Sequence, residues 1–100
     1  MPDEEILKKA IEAWGPEAQE DASIEEMAEL IKALLKYRRE RTDSSEVQEE
    51  IVDVQIVLDQ LKILFFDSDL EYKGLEEKKL AQLSKLIRKE SIRKEAAAKD

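Results

Sequence analysis

The sequence predicts an all-α protein, on three observations. Gly and Pro are scarce, with two of each in 100 residues. Hydrophobic residues make up 42% of the chain and recur at the three- and four-residue spacing of a helix. Charged residues make up another 42% and fill the remaining helix faces. A chain of this length buries only a modest core, so we expect a single domain over residues 1–100 and oligomerisation to supply part of its stability.

The hydrophobic spacing and the chain breakers divide the sequence into four helices. Gly15 and Pro16 end the first helix. The second begins near Glu17 or only at Ser23, which forms a capping-box pattern with Glu26, and both starts remain open. The predicted helices cover about residues 3–14, 18–41, 44–66 and 75–97.

Two predicted loops flank the third helix. Residues 42–45 form the clearer loop, in which Asp43 with Glu46 could cap the helix that follows. Residues 67–69 form the next break, and Gly74 is expected to interrupt the short turn after it. Apolar residues go most of the way around the third helix. It is therefore either central or faces both its own bundle and a second subunit.

Charge and missing residue types narrow the function classes. The net charge of −8 argues against duplex nucleic acid or an anionic membrane as the main partner. The chain has no Cys and no His, which excludes disulfides, structural zinc, and thiolate or imidazole catalysis. The longest apolar run is four residues, 63–66, so no membrane span or signal peptide is expected and the cytoplasm is the expected location.

Two pairs of acidic residues stand beside the apolar stripes of the second and third helices. They are Glu26 with Glu29 and Glu50 with Asp53, each three residues apart and therefore on one helix face. A short loop makes the two helices an antiparallel hairpin, in which Glu29 and Asp53 both lie roughly 15 Å from the turn. Buried carboxylates are costly unless a cation lies between them. The four acids should therefore converge and could hold one or two Mg2+ ions, with Mn2+ a possible substitute.

The same acids also have a purely structural explanation. Glu26 could serve only as the acid of the Ser23 capping box. Glu50 and Asp53 could be solvated, because a chain with 25 acidic residues contains many such pairs by chance. Both explanations remain open on spacing alone.

The four acids and their surroundings resemble the MazG-like all-α nucleoside triphosphate pyrophosphohydrolases, in particular the short, phage-type members. That family carries E-x-x-E, a spacer, and then E-x-x-D. The resemblance covers roughly residues 10–87. Beyond the acids it includes Trp14 with Gly15, Gln19, and the runs 24–30, 49–54, 58–61 and 77–80.

The resemblance implies both a fold and an activity. The fold is a four-helix, MazG-like bundle completed by oligomerisation, as a homodimer or homotetramer with the site near a subunit interface. Glu26, Glu29, Glu50 and Asp53 are implied to be metal-binding and catalytic. The implied reaction is Mg2+-dependent hydrolysis of a (d)NTP between the α and β phosphorus atoms, which gives a (d)NMP and pyrophosphate. Nucleotide-pool house-cleaning is the implied role.

Five further residues are candidates for substrate binding. The resemblance implies a phosphate-binding lysine on the last helix, where Lys79 is the first choice and Lys78 the second. It also implies that Gln19 contacts the base or sugar. Lys32, one turn after the first acidic pair, could reach a phosphate, and Trp14 could stack on a base. The lysines could instead be solvated surface charges, and the tryptophan could instead belong to the core.

Other functions remain open beside the enzyme. One is a non-catalytic helical module that binds a nucleotide or another protein, and another is a plain interaction subunit with the acids as surface charge. A ferritin-like di-iron oxidase is disfavoured, because that class needs histidine ligands. The chain departs from the MazG-like pattern at Gln82, where many members carry a basic residue, and at Val57, where several members carry an asparagine. These departures concern phosphate and base recognition rather than the metal-binding set.

Overall fold

The computed structural model describes residues 4–41 and 43–99, and in those residues it contains four helices and no strand. The helices are α1 (Glu4–Trp14), α2 (Pro16–Glu40), α3 (Ser45–Phe65) and α4 (Asp69–Lys99). The predicted all-α class with four helices is therefore confirmed. The helices fall into two compact units, Met1–Phe65 and Phe66–Asp100. None of the described helices is both long enough and apolar enough to cross a membrane.

Gly15 separates α1 from α2 in the first unit. Its N–H donates to the carbonyl of Ile11 at 2.7 Å, and its own carbonyl accepts from the N–H of Gln19 at 3.1 Å. Its φ of 88° and ψ of 159° lie in a region that essentially only glycine occupies. Pro16 follows at the start of α2, where a missing N–H costs nothing. The predicted break is confirmed, and of the two starts considered for α2 the structure has the earlier one.

The two glycines of the chain should respond in opposite directions to alanine. Gly15→Ala should destabilise the fold by about 1–3 kcal/mol, because a Cβ is strained at this positive φ. Gly74→Ala should stabilise it by about 0.5–1 kcal/mol, because Gly74 lies within α4 and an added Cβ would meet nothing within 4 Å. Urea unfolding followed by circular dichroism measures both. Equal shifts in the same direction would contradict this account of the α1–α2 junction.

A capped turn joins α2 to α3 as an antiparallel hairpin. Arg41 ends α2 in the left-handed conformation, with φ 55°, and its N–H donates to the carbonyl four residues back at 2.8 Å. The carboxylate of Asp43 accepts hydrogen bonds from both the N–H and the hydroxyl of Ser45, which caps the start of α3. Glu46 lies in the first turn of α3 and pairs with Lys36 of α2 at 3.4 Å. Asp43 therefore caps as predicted, whereas Glu46 links the two helices.

The core of the first unit is small. α1 packs against both α2 and α3, and these two helices pack against each other. Ile6, which precedes the buried Leu7 on α1, is 63% exposed. The buried apolar side chains within residues 4–41 and 43–65 are Leu7, Ala33, Val54 and Val57. So few buried side chains agree with the modest core that the length predicts, and completion by oligomerisation stays a proposal.

Among the described residues of the first unit, three polar side chains are also buried, namely Gln19, Ser23 and Gln60. Ser23 is only 1% exposed, and its hydroxyl donates to the carbonyl of Gln19 at 2.8 Å. This is the i→i−4 bond of a serine inside a helix. The capping box predicted for Ser23 with Glu26 is therefore wrong, because α2 already begins at Pro16 and its backbone N–H groups at Ser23 are bonded within the helix.

The second unit contains α4. The hydroxyl of Ser68 accepts from the N–H of Glu71 at 3.2 Å and caps the helix, which begins at Asp69. Lys73 pairs with Asp69 at 3.2 Å one turn further on. The helix continues through Gly74, so the predicted interruption is wrong. A glycine costs a helix only about 1 kcal/mol, and the cap and the ion pair support the same turns.

Candidate metal centre

Three of the four predicted acidic ligands converge between α2 and α3. Glu26 of α2 and Glu50 and Asp53 of α3 each bring one carboxylate oxygen within 4.8 Å of the other two. Glu26 and Glu50 are half-buried, whereas Asp53 is exposed. The three-residue spacing on α3 places its two acids on one face, and the hairpin brings Glu26 opposite them. We call these three residues the acid cluster.

Glu50 is the member of the acid cluster whose negative charge is least favourable in the folded chain. Its Oε2 atom is shielded from solvent and has no hydrogen-bond partner in the described part of the chain. Burial raises the pKa of the Glu50 carboxyl, and the negative charges of Asp53, Glu26 and Glu29 raise it further. A shielded carboxylate among other acids is unfavourable unless a cation compensates it. A donor set made only of carboxylate oxygens suits Mg2+ or Mn2+, so these residues fit the ion that the sequence predicted.

Glu29 lies outside the acid cluster. Its side chain is 53% exposed and pairs with Lys32 at 3.8 Å. The reason is rotational, because three residues turn a helix by about 300° and leave Glu29 about 60° from Glu26. The packing face of α2 runs through Ser23 and Ala33, so Glu26 points into the hairpin and Glu29 beside it. Glu29 still lies near enough to raise the pKa of Glu50. Its role as a ligand stays a prediction.

The basic and aromatic candidates are all exposed. Lys32 is 74% exposed and holds its ammonium against Glu29. Lys78 and Lys79 are exposed on α4, in the second unit. Trp14 is 74% exposed at the end of α1, so the core explanation for this side chain does not hold. Whether any of these residues contacts a substrate stays a prediction.

Two glutamines are buried in the hairpin, Gln19 on α2 and Gln60 on α3, and only Gln19 was predicted as a site residue. Gln19 is 7% exposed, and its Nε2 amide has no hydrogen-bond partner among the described residues. Gln60, which is 6% exposed, was missed. Gln19 precedes Glu26 by seven residues and Gln60 follows Asp53 by seven, so each lies about 10 Å further from the turn than the acids. The available signal was a glutamine at a packing position, three residues after Val57.

Comparison with known proteins found no matching family model, no matching curated protein and no matching solved structure. What the chain can do chemically therefore has to be inferred from its own residues. With neither Cys nor His present, its own side chains offer carboxylates, amides, hydroxyls and ammonium or guanidinium groups for chemistry. The acid cluster has three carboxylates placed so that they could hold a metal ion, and its third member, Asp53, is exposed.

Proposed function

We propose that this protein is a Mg2+-dependent nucleoside triphosphate pyrophosphohydrolase that converts a (d)NTP to a (d)NMP and pyrophosphate. The observation that carries the proposal is the convergence of Glu26, Glu50 and Asp53 around a shielded, unpartnered oxygen of Glu50. The resemblance of the surrounding residues to MazG-like enzymes supports it. Its proposed role is nucleotide-pool house-cleaning in the cytoplasm, and its proposed assembly is a homodimer or homotetramer.

The proposed roles follow from where each acid lies. Glu26 and Glu50 would anchor the ion at the helix interface, and Asp53 would hold its exposed side, towards the substrate. Glu29 would join them by leaving its ion pair with Lys32. When bound, Mg2+ would neutralise charge on the phosphate oxygens and lower the pKa of a coordinated water.

The proposed substrate contacts come from the residues outside the acids. Lys32 would be released to a phosphate oxygen when Glu29 turns inward, because the two side chains are paired in the free protein. Lys79, with Lys78 as the second choice, would add a further phosphate contact. Gln19 would contact the base or sugar with its unpartnered amide, and Trp14 would stack on a base.

Pyrophosphate release across a panel of standard and modified NTPs and dNTPs tests the proposal. The full-length protein would be assayed with and without Mg2+, and with and without added inorganic pyrophosphatase. We expect orthophosphate to appear only when both the metal and the pyrophosphatase are present. A folded protein that releases none from any nucleotide would contradict the enzyme. Orthophosphate without pyrophosphatase would mean that a different phosphoanhydride bond is cleaved.

The second candidate function is a non-catalytic helical module that binds a nucleotide or another protein. Large apolar side chains on α2 favour it, since Ile24, Ile31 and Leu35 are 55–63% exposed. Exposed apolar side chains grouped on one helix often mark a contact surface. This candidate predicts nucleotide or protein binding without turnover, which the same panel separates from catalysis.

A further inference from the structure

The acid cluster has a polar counterpart two helical turns further from the turn that joins α2 to α3. Seven residues rotate a helix by nearly two full turns, so positions seven apart lie in line on the same face. Moving seven residues along each helix from the acid cluster leads to Gln19, Val57 and Gln60. The positions that bring three acids together are therefore repeated here with two glutamines and a valine. We call these three residues the amide layer.

The amide layer is more deeply buried than the acid cluster. Gln19, Val57 and Gln60 are 7%, 7% and 6% exposed, whereas Asp53 of the acid cluster is exposed. Buried amides normally have hydrogen-bond partners. Gln60 brings a second amide to the layer, yet the Nε2 atom of Gln19 has no acceptor among the described residues. The layer therefore contains a donor that the chain does not satisfy, which is costly unless a ligand satisfies it.

The spacing between the two layers matches a nucleotide. Seven residues at 1.5 Å per residue separate the amide layer from the acid cluster by about 10 Å. An extended nucleotide spans a similar distance from its α-phosphate to the edge of its base, and its sugar lies between the two. Ser23 is at that intermediate level, and its hydroxyl already donates to the carbonyl of Gln19. The unpartnered amide therefore lies at the level of a base rather than of a sugar.

We propose that Gln60, together with Gln19, reads the edge of the substrate's base. This inference rests on the proposed function and names what selects its substrate. A primary amide presents a donor and an acceptor side by side, as does the hydrogen-bonding edge of a nucleobase. Two amides on facing helices discriminate between bases, and Val57 supplies an apolar contact beside them. Gln60 is thus a specificity-determining residue, separate from the residues that hold the phosphates.

The cover of the amide layer has to move before a base can enter. α1 packs against both α2 and α3. It contributes one buried residue, Leu7, whereas α2 and α3 each contribute three. Gly15 joins α1 to α2 with a φ of 88°, four residues before Gln19. Movement of α1 about Gly15 is therefore the least costly way for a base to reach the two amides.

Calorimetric titration of the full chain with Mg2+ tests Gln60 as a reader of the base. The probes are the non-hydrolysable α,β-imido triphosphates of adenosine, guanosine, cytidine and uridine, each in its ribose and deoxyribose form. We expect the wild type to discriminate between the bases. Gln60→Met should reduce the ratio between the weakest and the tightest dissociation constants by about tenfold, because methionine keeps the length of the side chain and removes its donor and acceptor. The ratio between ribose and deoxyribose forms should not change.

Two variants accompany Gln60→Met. Gln19→Met removes the other amide and should reduce the base ratio in the same way, so it provides the same readout if Gln60→Met does not fold. Gln48→Met is the matched control, since Gln48 is an exposed glutamine on α3 outside both layers. All its dissociation constants should equal those of the wild type.

Inorganic triphosphate, which has no base, separates this inference from the proposed function. It should bind equally to the wild type and to Gln60→Met, because it engages only the metal and the phosphate contacts. A chain that binds neither inorganic triphosphate nor any nucleotide with Mg2+ would contradict the proposed function and this inference with it. Binding of every probe with an unchanged base ratio in Gln60→Met would overturn the inference alone.

The melting temperature separates reading a base from a purely structural role. Removing an unsatisfied buried amide should leave the stability of Gln60→Met equal to that of the wild type or raise it. A lower melting temperature together with an unchanged base ratio would overturn the proposal and assign the amide layer to packing of the hairpin.

Discussion

Asp53→Asn should lower kcat/KM for pyrophosphate release by about 100-fold or more, measured at saturating Mg2+. Asparagine keeps the shape of the side chain but removes the negative charge and one strong ligand oxygen. The proposed ion would then lose the member of the acid cluster that lies on its exposed side. Since Asp53 is exposed, the substitution should leave the fold intact.

Glu49→Gln is the matched control for this substitution. Glu49 is an exposed acid on the same helix, next to Glu50 in sequence and outside the acid cluster. Neutralising it removes the same charge without removing a proposed ligand, so activity should stay within about twofold of wild type. A comparable loss in both variants would mean that α3 contributes only general negative charge. Full activity in Asp53→Asn would remove Asp53 from the catalytic set.

Without divalent metal at neutral pH, Glu50→Gln should raise the melting temperature by several degrees. The wild-type carboxylate is shielded and surrounded by acids, so its charge destabilises the folded chain. Mg2+ at ten times its dissociation constant should add about 1.4 kcal/mol to the stability of the wild type. The variant should gain little, because its acid cluster has lost a ligand. Differential scanning fluorimetry with and without Mg2+ measures both effects.

The pH dependence of this stability difference has a definite sign. The pKa of Glu50 is raised above its ordinary value of 4.5, so its ionised form destabilises the fold at higher pH. That destabilisation is relieved as the pH falls through the raised pKa, and it is absent below 4.5. The advantage of Glu50→Gln in metal-free buffer should therefore shrink as the pH falls from 7 towards 4.5. An advantage that is constant or grows on acidification would contradict this environment for Glu50.

The pKa of Asp43 is shifted in the opposite direction to that of Glu50, so Asp43 affects stability in a different pH range. The side chain and the backbone N–H of Ser45 hold the pKa of Asp43 below its ordinary value of 3.8. Its contribution to stability is present above 3.8 and is lost as the pH falls through the lowered pKa. Asp43 is common to wild type and Glu50→Gln, so its effect cancels when the two are compared. The change in their stability difference between pH 7 and 4.5 can then be assigned to Glu50.

The helix boundaries that were predicted correctly depend on residues with strong local preferences. Gly15 followed by Pro16 fixes a break whatever packs around it, because glycine alone accepts the positive φ found there. The predictions at Gly74 and Ser23 were wrong because these residues have only weak local preferences. A glycine is a mild helix breaker that a cap can outweigh, and a serine pattern resembles a cap whether or not the helix has already begun. Whether Gly74 interrupts a helix and whether Ser23 caps one both depend on the neighbouring helical turns, which residue spacing alone does not describe.

The candidate site was predictable along the helix axis but not around it. Counting residues from the turn correctly brings the acids of α2 and α3 to a similar depth in the hairpin. Which acid of α2 points inward depends on its packing face, and that face is set by tertiary contacts at Ser23 and Ala33. The structure therefore brings Glu26 to Asp53, where equal depth alone would have chosen Glu29.

Phosphorus NMR of a nucleoside triphosphate incubated with the full-length protein and Mg2+ tests the central claim most directly. The spectrum identifies which bond is broken without coupling enzymes. The account predicts that a nucleoside monophosphate and pyrophosphate appear together, and that neither appears with Asp53→Asn. A nucleoside diphosphate with orthophosphate, or an unchanged triphosphate in the presence of folded protein, would contradict it.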